Sequence, residues 1–206
     1  MSRRKSSRRW LKEHFEDEFV RRAQDEGWRS RGVFKLQELD AKDKLLRPGM
    51  VVVDLGAAPG GWSEYVCGRL RGTGVSVAVD TLPMDSIANV DFIQGDFREQ
   101  ETLDRLLNSL GGKAADLVLS DMAPNISGVK AVDQPRAMYL AELARDCAIE
   151  ILAPGGGFLV KVFQGEGFDA FRFSLRQHFA KVVVRKPRAS RDRSRELYLL
   201  ARNYGM

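Results

Sequence analysis

Two kinds of residue in this chain could act on a ligand held at the end of a sheet. One is a lysine. Lys161 lies within Gly157-Phe-Leu-Val-Lys-Val-Phe163, flanked by apolar residues that look like a buried strand. Buried lysines are rare unless they are paired. An amine kept from water gives up its proton more readily and can then serve as a base. The alternative is an edge-strand lysine reaching out to water. The other kind is a set of acids that follow apolar runs: Asp54, Asp80, Asp96 and Asp121. A carboxylate at a strand end sits on the rim where α/β sheets bind ligands.

Asp54 leads into Leu55-Gly-Ala-Ala-Pro-Gly-Gly-Trp62. Gly56, Gly60 and Gly61 carry no Cβ, so the backbone can turn sharply and approach a ligand closely. Pro59 stiffens the turn. A nicotinamide dinucleotide would want G-x-G-x-x-G. Here Ala58 stands at the second glycine, and the charge of Asp54 would repel a diphosphate. S-adenosylmethionine, with an amino group, a sulfonium and no phosphate, suits the loop better. Asp80 comes 24 residues after Gly56. It can accept both ribose hydroxyls of an adenosine, or it is a turn residue. Asp96, in Gln94-Gly-Asp-Phe97, can accept from the adenine amino group with Phe97 against the ring, or cap a following helix. Trp62 is a core or helix-start residue whose backbone lies by the cofactor.

The elements that must position these residues alternate. Helices are expected from Trp10 to about Gln24, and from about Gly32 to Lys44 with Ser30 as its cap. Strands are expected at 51–54, 74–80, 90–94, 116–120, 157–163, 181–185 and 196–201. Helices are expected at 62–70, 103–110, 134–152 and 169–179, with Asp133 capping the third of these and Ala153-Pro-Gly-Gly-Gly stopping it. This alternation predicts a Rossmann-like α/β fold with a mostly parallel seven-stranded sheet and helices on both faces. Only a loop joins the last two strands, so they pair antiparallel. One domain over 10–206 is expected after a basic flexible arm at 1–9, with 10–47 a helical segment.

Hydrophobic residues make up 44% of the 206 and charged ones 30%, which excludes a disordered chain. No apolar run is long enough to span a bilayer, and no apolar stretch follows the basic start, so neither a membrane anchor nor a secretory leader is expected. The expected location is the cytoplasm, as a monomer. Cys67 and Cys147 look like small buried apolar residues. His14 and His178 stand apart from other ligand types, so no metal is expected. The net charge of +5 is uneven. Five of the first nine residues are basic, as are six from Arg185 to Arg195, including Arg188, Arg191, Arg193 and Arg195, against one acid, Asp192. Two basic clusters point to a polyanionic partner such as nucleic acid; a solvated face and a frayed tail are the plainer reading.

Asp54-Leu-Gly-Ala-Ala-Pro-Gly-Gly-Trp62, Asp121-Met-Ala-Pro124, Leu159-Val-Lys161 and Arg31-Gly-Val-Phe-Lys35-Leu occur in one chain in that order. In these motifs the sequence resembles the FtsJ/RrmJ (RlmE) ribosomal RNA 2′-O-methyltransferases over nearly its whole length. The resemblance implies a Lys-Asp-Lys-Glu tetrad at Lys35, Asp121, Lys161 and Glu196. Taken alone, Glu196 is a surface acid beside Arg193 and Arg195. It also implies the substrate, a uridine ribose in 23S rRNA of the large ribosomal subunit. Val33-Phe34, taken as exposed, differs mildly from the family pattern and would alter RNA contacts only.

A ribose hydroxyl is a weak nucleophile that must lose its proton as it attacks. On this reading Lys161 is the base, Asp121 holds it and faces the sulfonium, and Lys35 and Glu196 position the ribose and ease proton loss from Lys161. Arg31, the N-terminal arm and the 185–195 loop hold phosphates. Three other readings compete: a non-catalytic RNA-binding module, a nicotinamide oxidoreductase, and the same chemistry on tRNA or mRNA.

Overall fold

Aliphatic runs buried on both sides make the inner strands of this sheet. β1 (Val51–Leu55) is buried at every position. Its side chains alternate: Val51, Val53 and Leu55 enter one core, while Val52 enters the core on the other face. That period of two is what a sheet covered by helices on both faces requires. The computed structural model describes residues 17–191 and 194–206. The expected arm at 1–9, the expected helix start at Trp10, and Arg193 lie outside these residues.

Beside β1 stand β2 (Val75–Asp80), β3 (Asp91–Gln94), β4 (Ala115–Ser120), β5 (Leu152–Phe163), β6 (Phe179–Arg185) and β7 (Glu196–Tyr204). Among the described residues these seven strands form one sheet in the order β3-β2-β1-β4-β5-β7-β6. All neighbours pair parallel except β7, which runs antiparallel to both β5 and β6. The chain winds outward from β1 to β3, then restarts at β4 on the other side. The carboxyl ends of β1 and β4 therefore flank the switch point where such sheets take ligands.

One face is covered by α4 (Gln100–Ser109), α5 (Lys130–Ile151) and α6 (Phe168–Leu175), through residues such as Leu106, Ala144 and Phe171. The other is covered by α2 (Val33–Asp43) and α3 (Gly61–Leu70), through Leu36, Leu39, Trp62 and Val66. The first described helix, α1 (Glu18–Asp25), lies beyond α2.

Several expectations need correction. The first helix does not run through residue 17: Asp17 is extended and caps α1, accepting from Phe19 N at 3.1 Å. Gly32, not Ser30, precedes α2, and no side chain caps it. Asp133 lies inside α5 rather than before it. α5 stops at Ile151 as expected, but β5 starts at Leu152 rather than 157, since Leu152 already pairs with Ala115. α6 ends at Leu175, since Phe179 is needed as the first residue of β6. Cys147 is buried, but Cys67 is only half-buried, with its thiol donating to Ala88 O at 3.0 Å. Val33 and Phe34 are not exposed at all. They pack with Ala23 and Ala189 in a small core of their own, and Phe19 lies 5.7 Å from the Phe34 ring. A change there alters the seating of α1 rather than an RNA contact.

Candidate active site

The turn after β1 makes the first half of the site. Gly56 has φ 76°, and its amide donates to Val79 O at 2.8 Å, closing β1 onto β2. A Cβ on Gly56 would meet the Met122 side chain. The bare backbone therefore floors a cavity of about 380 Å³, lined by Gly56, Ala58, Asp80, Asp96, Phe97, Arg98, Asp121, Met122 and Tyr139 among others. Asp80 accepts from Ala58 N and from Leu82 N, each at 2.8 Å, so it is fixed at the rim. Asp96 accepts from the backbone N of Arg98 at 3.0 Å and is ion-paired with its guanidinium. It caps no helix; Glu99 precedes α4.

Two expected cofactor residues are not in this lining. Gly60, at φ 105°, backs onto Met84, Ile87 and Arg29. Trp62 is buried, donates its indole N–H to Gly32 O at 2.8 Å, and lies 5.9 Å from the Tyr198 ring. The Trp62 indole thus packs away from this cavity, while the backbone of Gly60 and Trp62 runs on directly from the turn. Asp54 is buried as well, accepting from Ser63 Oγ at 2.6 Å. Burial pushes its carboxyl up to about 7; the Ser63 hydrogen bond opposes this, and the charges of Asp121 and Asp80 add to it.

Asp121 joins the two halves. It follows β4, and Lys161 on the adjacent β5 reaches it twice. The ammonium lies 3.1 Å from Asp121 Oδ1 and donates to the Asp121 carbonyl at 2.5 Å. Lys161 is 8% exposed, so it is no edge-strand lysine reaching for water. Tyr198 faces Lys161 across the β5–β7 ladder and donates its hydroxyl to the same Asp121 oxygen at 2.6 Å. Lys35 on α2 pairs with Glu196 at 2.7 Å, and Glu196 also accepts from Ser190 Oγ at 2.8 Å. Thus Lys35, Asp121, Lys161 and Glu196 are brought together, from four separate parts of the chain. Burial raises the Asp121 carboxyl, but the Lys161 and Lys35 charges and the Tyr198 hydroxyl outweigh it, and the group ends below the usual carboxylate range. Burial, then the Asp121 and Glu196 charges, hold Tyr198 well above the usual phenol value, so it stays a donor.

Tyr198 is absent from the expected set. Its signal was available: it is two residues after Glu196, so on a strand the two share a face. Asp17 was also missed. It pairs with both Arg31 and Arg191, and Arg31 donates as well to Ala189 O. Arg31, Lys35, Asp121, Arg191 and Glu196 line a second cavity of about 400 Å³, together with Ser30, Gly32, Pro59 and Ser194. Arg195 donates to Gln134 Oε1 at 3.4 Å, and the Arg188 backbone N–H donates to Glu38 Oε2 at 2.7 Å. These two do not line the second cavity. Among the described residues no His, Cys, Asp and Glu side chains form a metal-holding group, and no helix is long and apolar enough to cross a membrane.

The sheet order, with its antiparallel seventh strand and a cavity over the β1 turn, is that of a Rossmann-like methyltransferase. Residues 28–204 match the FtsJ-like methyltransferase family model, and the chain belongs to that family. It is 58% identical over 206 residues to a ribosomal RNA large subunit methyltransferase E of Legionella pneumophila, covering 100% of both chains. It is 60% identical over 200 residues to a protein of the same name from Chromohalobacter salexigens, covering 97% of this chain and 95% of that one. A crystal structure described as a ribosomal RNA methyltransferase from Plasmodium falciparum superposes with a TM-score of 0.78 at 29% identity, over 86% of this chain and 98% of that one. The chain is a methyltransferase.

Proposed function

We propose that this methyltransferase acts on the 2′-hydroxyl of a uridine ribose in 23S rRNA of the large ribosomal subunit. The observation that carries the reading is Asp121. It lines both the cavity above the glycine turn and the second, basic cavity, and Lys161 is held against it. Donor and acceptor sites therefore meet at one carboxylate. The names of the full-length relatives supply the ribosomal RNA.

The first cavity fits S-adenosylmethionine better than a dinucleotide. Carboxylates of Asp80, Asp96 and Asp121 line it. They favour an amino group, ribose hydroxyls and a sulfonium, and repel a diphosphate. Bound there, S-adenosylmethionine supplies an electrophilic methyl group. Asp80 is placed to accept from ribose hydroxyls, and Asp96 from the adenine amine once Arg98 yields.

The chain's own residues handle the acceptor. Arg31 and Arg191 hold phosphates at the second cavity, while Lys35 and Glu196 place the ribose. Lys161, once its ammonium has given up a proton to solvent, takes the proton of the 2′-hydroxyl as the oxygen attacks the methyl group, and Asp121 keeps the amine in line. Fixing donor and acceptor in this way can contribute roughly 7–11 kcal/mol. The chain works as one domain, with the described residues 17–47 on its RNA side, and the protein acts as a cytoplasmic monomer.

The test is incubation with methyl-labelled S-adenosylmethionine and undermethylated large subunits, followed by mapping of the label. One 2′-O-methyluridine in 23S rRNA is the expected product. Label on tRNA alone, or on a base rather than a ribose, would overturn the reading.

A further inference from the structure

The loop between β4 and α5 does something unusual with its apolar residues. Ile126 is 61% exposed and Val129 55%, and Val132 in the first turn of α5 follows at 38%. Three aliphatic side chains close in sequence and turned to water make an exposed apolar stretch of the kind that, when contiguous, serves as a contact surface. The loop is not slack. Asp133 is buried and accepts from Ser127 N at 2.8 Å, Ser127 Oγ at 2.7 Å and Gly128 N at 3.0 Å. Ser127 Oγ also accepts from Val129 N at 3.2 Å. A single carboxylate thus clamps the backbone on which Ile126 and Val129 stand.

Its position ties the loop to the site. It begins directly after Asp121, and it ends in α5, whose Gln134 holds Phe163 O at 3.0 Å, Glu166 O at 2.8 Å and Arg195 at 3.4 Å. Through Asp133 the apolar residues are tied to the helix end whose Gln134 meets Arg195, with Lys130 exposed in the same turn. Arg195 and Lys130 suit phosphates, and an aliphatic surface near them suits the flat face of a base.

We propose that Ile126 and Val129 form a stacking platform for a nucleobase next to the methylated nucleotide. This deepens the rRNA reading above and rests on it. A ribose must leave its helix to reach a buried amine, and its neighbours lose stacking partners when it does. A rigid apolar platform replaces the lost stacking, so Ile126 and Val129, which lie outside the methyl-donor cavity, set how well an unstacked RNA segment is held.

The test uses the full chain and an rRNA fragment carrying 2-aminopurine beside the target uridine. The unchanged protein should alter the 2-aminopurine fluorescence on binding. The double variant Ile126→Ser/Val129→Ser should lose that change and bind the fragment about tenfold more weakly. Its melting temperature and its affinity for S-adenosylmethionine should match the parent, since both side chains are exposed. Equal RNA affinity and an equal fluorescence change in the variant would overturn the inference. So would a loss seen on assembled subunits but not on naked fragment, which would assign the patch to a ribosomal protein. Methyl transfer by the unchanged protein, followed in parallel, separates this from the parent reading: RNA binding without transfer sinks the proposed activity and leaves the platform standing.

Discussion

Tyr198 and Lys161 stand opposite each other on antiparallel strands and converge on one oxygen of Asp121, at 2.6 Å and 3.1 Å. The pairing register does this, not any local signal. β5 supplies the amine, β7 the hydroxyl, and β4 ends at the carboxylate between them. Asp121 is thereby held ionised and fixed in direction at the junction of the two cavities.

Lys161→Ala should lower the methyl-transfer rate by about 10²–10⁴, the usual loss for a positioned acid–base group. The affinity for S-adenosylmethionine should stay within a few-fold, because Lys161 does not line that cavity. Single-turnover transfer with labelled donor checks the rate. Retention of activity within about tenfold, a loss of only about 1.4 kcal/mol, would remove Lys161 as the base.

Tyr198→Phe should cost a several-fold loss in rate, with folding largely intact. The ring still packs on Trp62 at 5.9 Å, and only the hydrogen bond to Asp121 goes. Such a bond to an ionised carboxylate is worth about 1.5–3 kcal/mol. A change in KM for RNA with kcat untouched would show that the hydroxyl does not orient Asp121.

Stability should depend on pH through Asp54. Its folded value, about 7, lies above the ordinary 3.8. Between about pH 4 and 7 the unfolded chain has lost this proton while the folded chain keeps it. Raising the pH through that window therefore weakens folding, by about 4 kcal/mol at most, and the effect levels off above about 7. Asp54→Asn should flatten that part of the profile. Urea unfolding at pH 5 and pH 8, without methyl donor, compares the two proteins, and parallel profiles would refute the assignment.

Arg191→Ala should weaken RNA binding at every sequence and reduce the slope of log affinity against log salt by about 0.7–0.9, one phosphate contact. Asp17 will be left with Arg31 as its partner, so the fold should hold. Filter binding across a salt series measures the slope. An unchanged slope would place the RNA path elsewhere.

Gly56→Ala should abolish cofactor binding. The position has φ 76°, and the added methyl group would meet Met122 inside the cavity. Calorimetry with S-adenosylmethionine tests this, and normal affinity would mean the glycine turn is not the cofactor floor.

Much of this protein could be recognised before folding. Apolar runs mark the inner strands, and the acids Asp54, Asp80 and Asp121 at the ends of β1, β2 and β4 mark the rim, because both are local patterns that survive in one dimension. The motif order reached the family. What local patterns could not decide was which side chains meet. Lys35 and Glu196 are 161 positions apart in the chain, and only the docking of α2 against β7 makes them a pair 2.7 Å long. Tyr198 shares a strand face with Glu196, but only the antiparallel pairing of β7 with β5 sets its hydroxyl against Asp121. Trp62 follows the glycine turn in sequence, but only the packed structure shows that its indole points into the core and donates to Gly32 O. Val33 and Phe34 looked exposed because nothing nearby in sequence covers them, whereas Ala189 and Phe19 do so in space. Sequence alone settled the elements and the chemical types at their ends; long-range pairing, driven by burial and ladder register, decided which of those groups share a site.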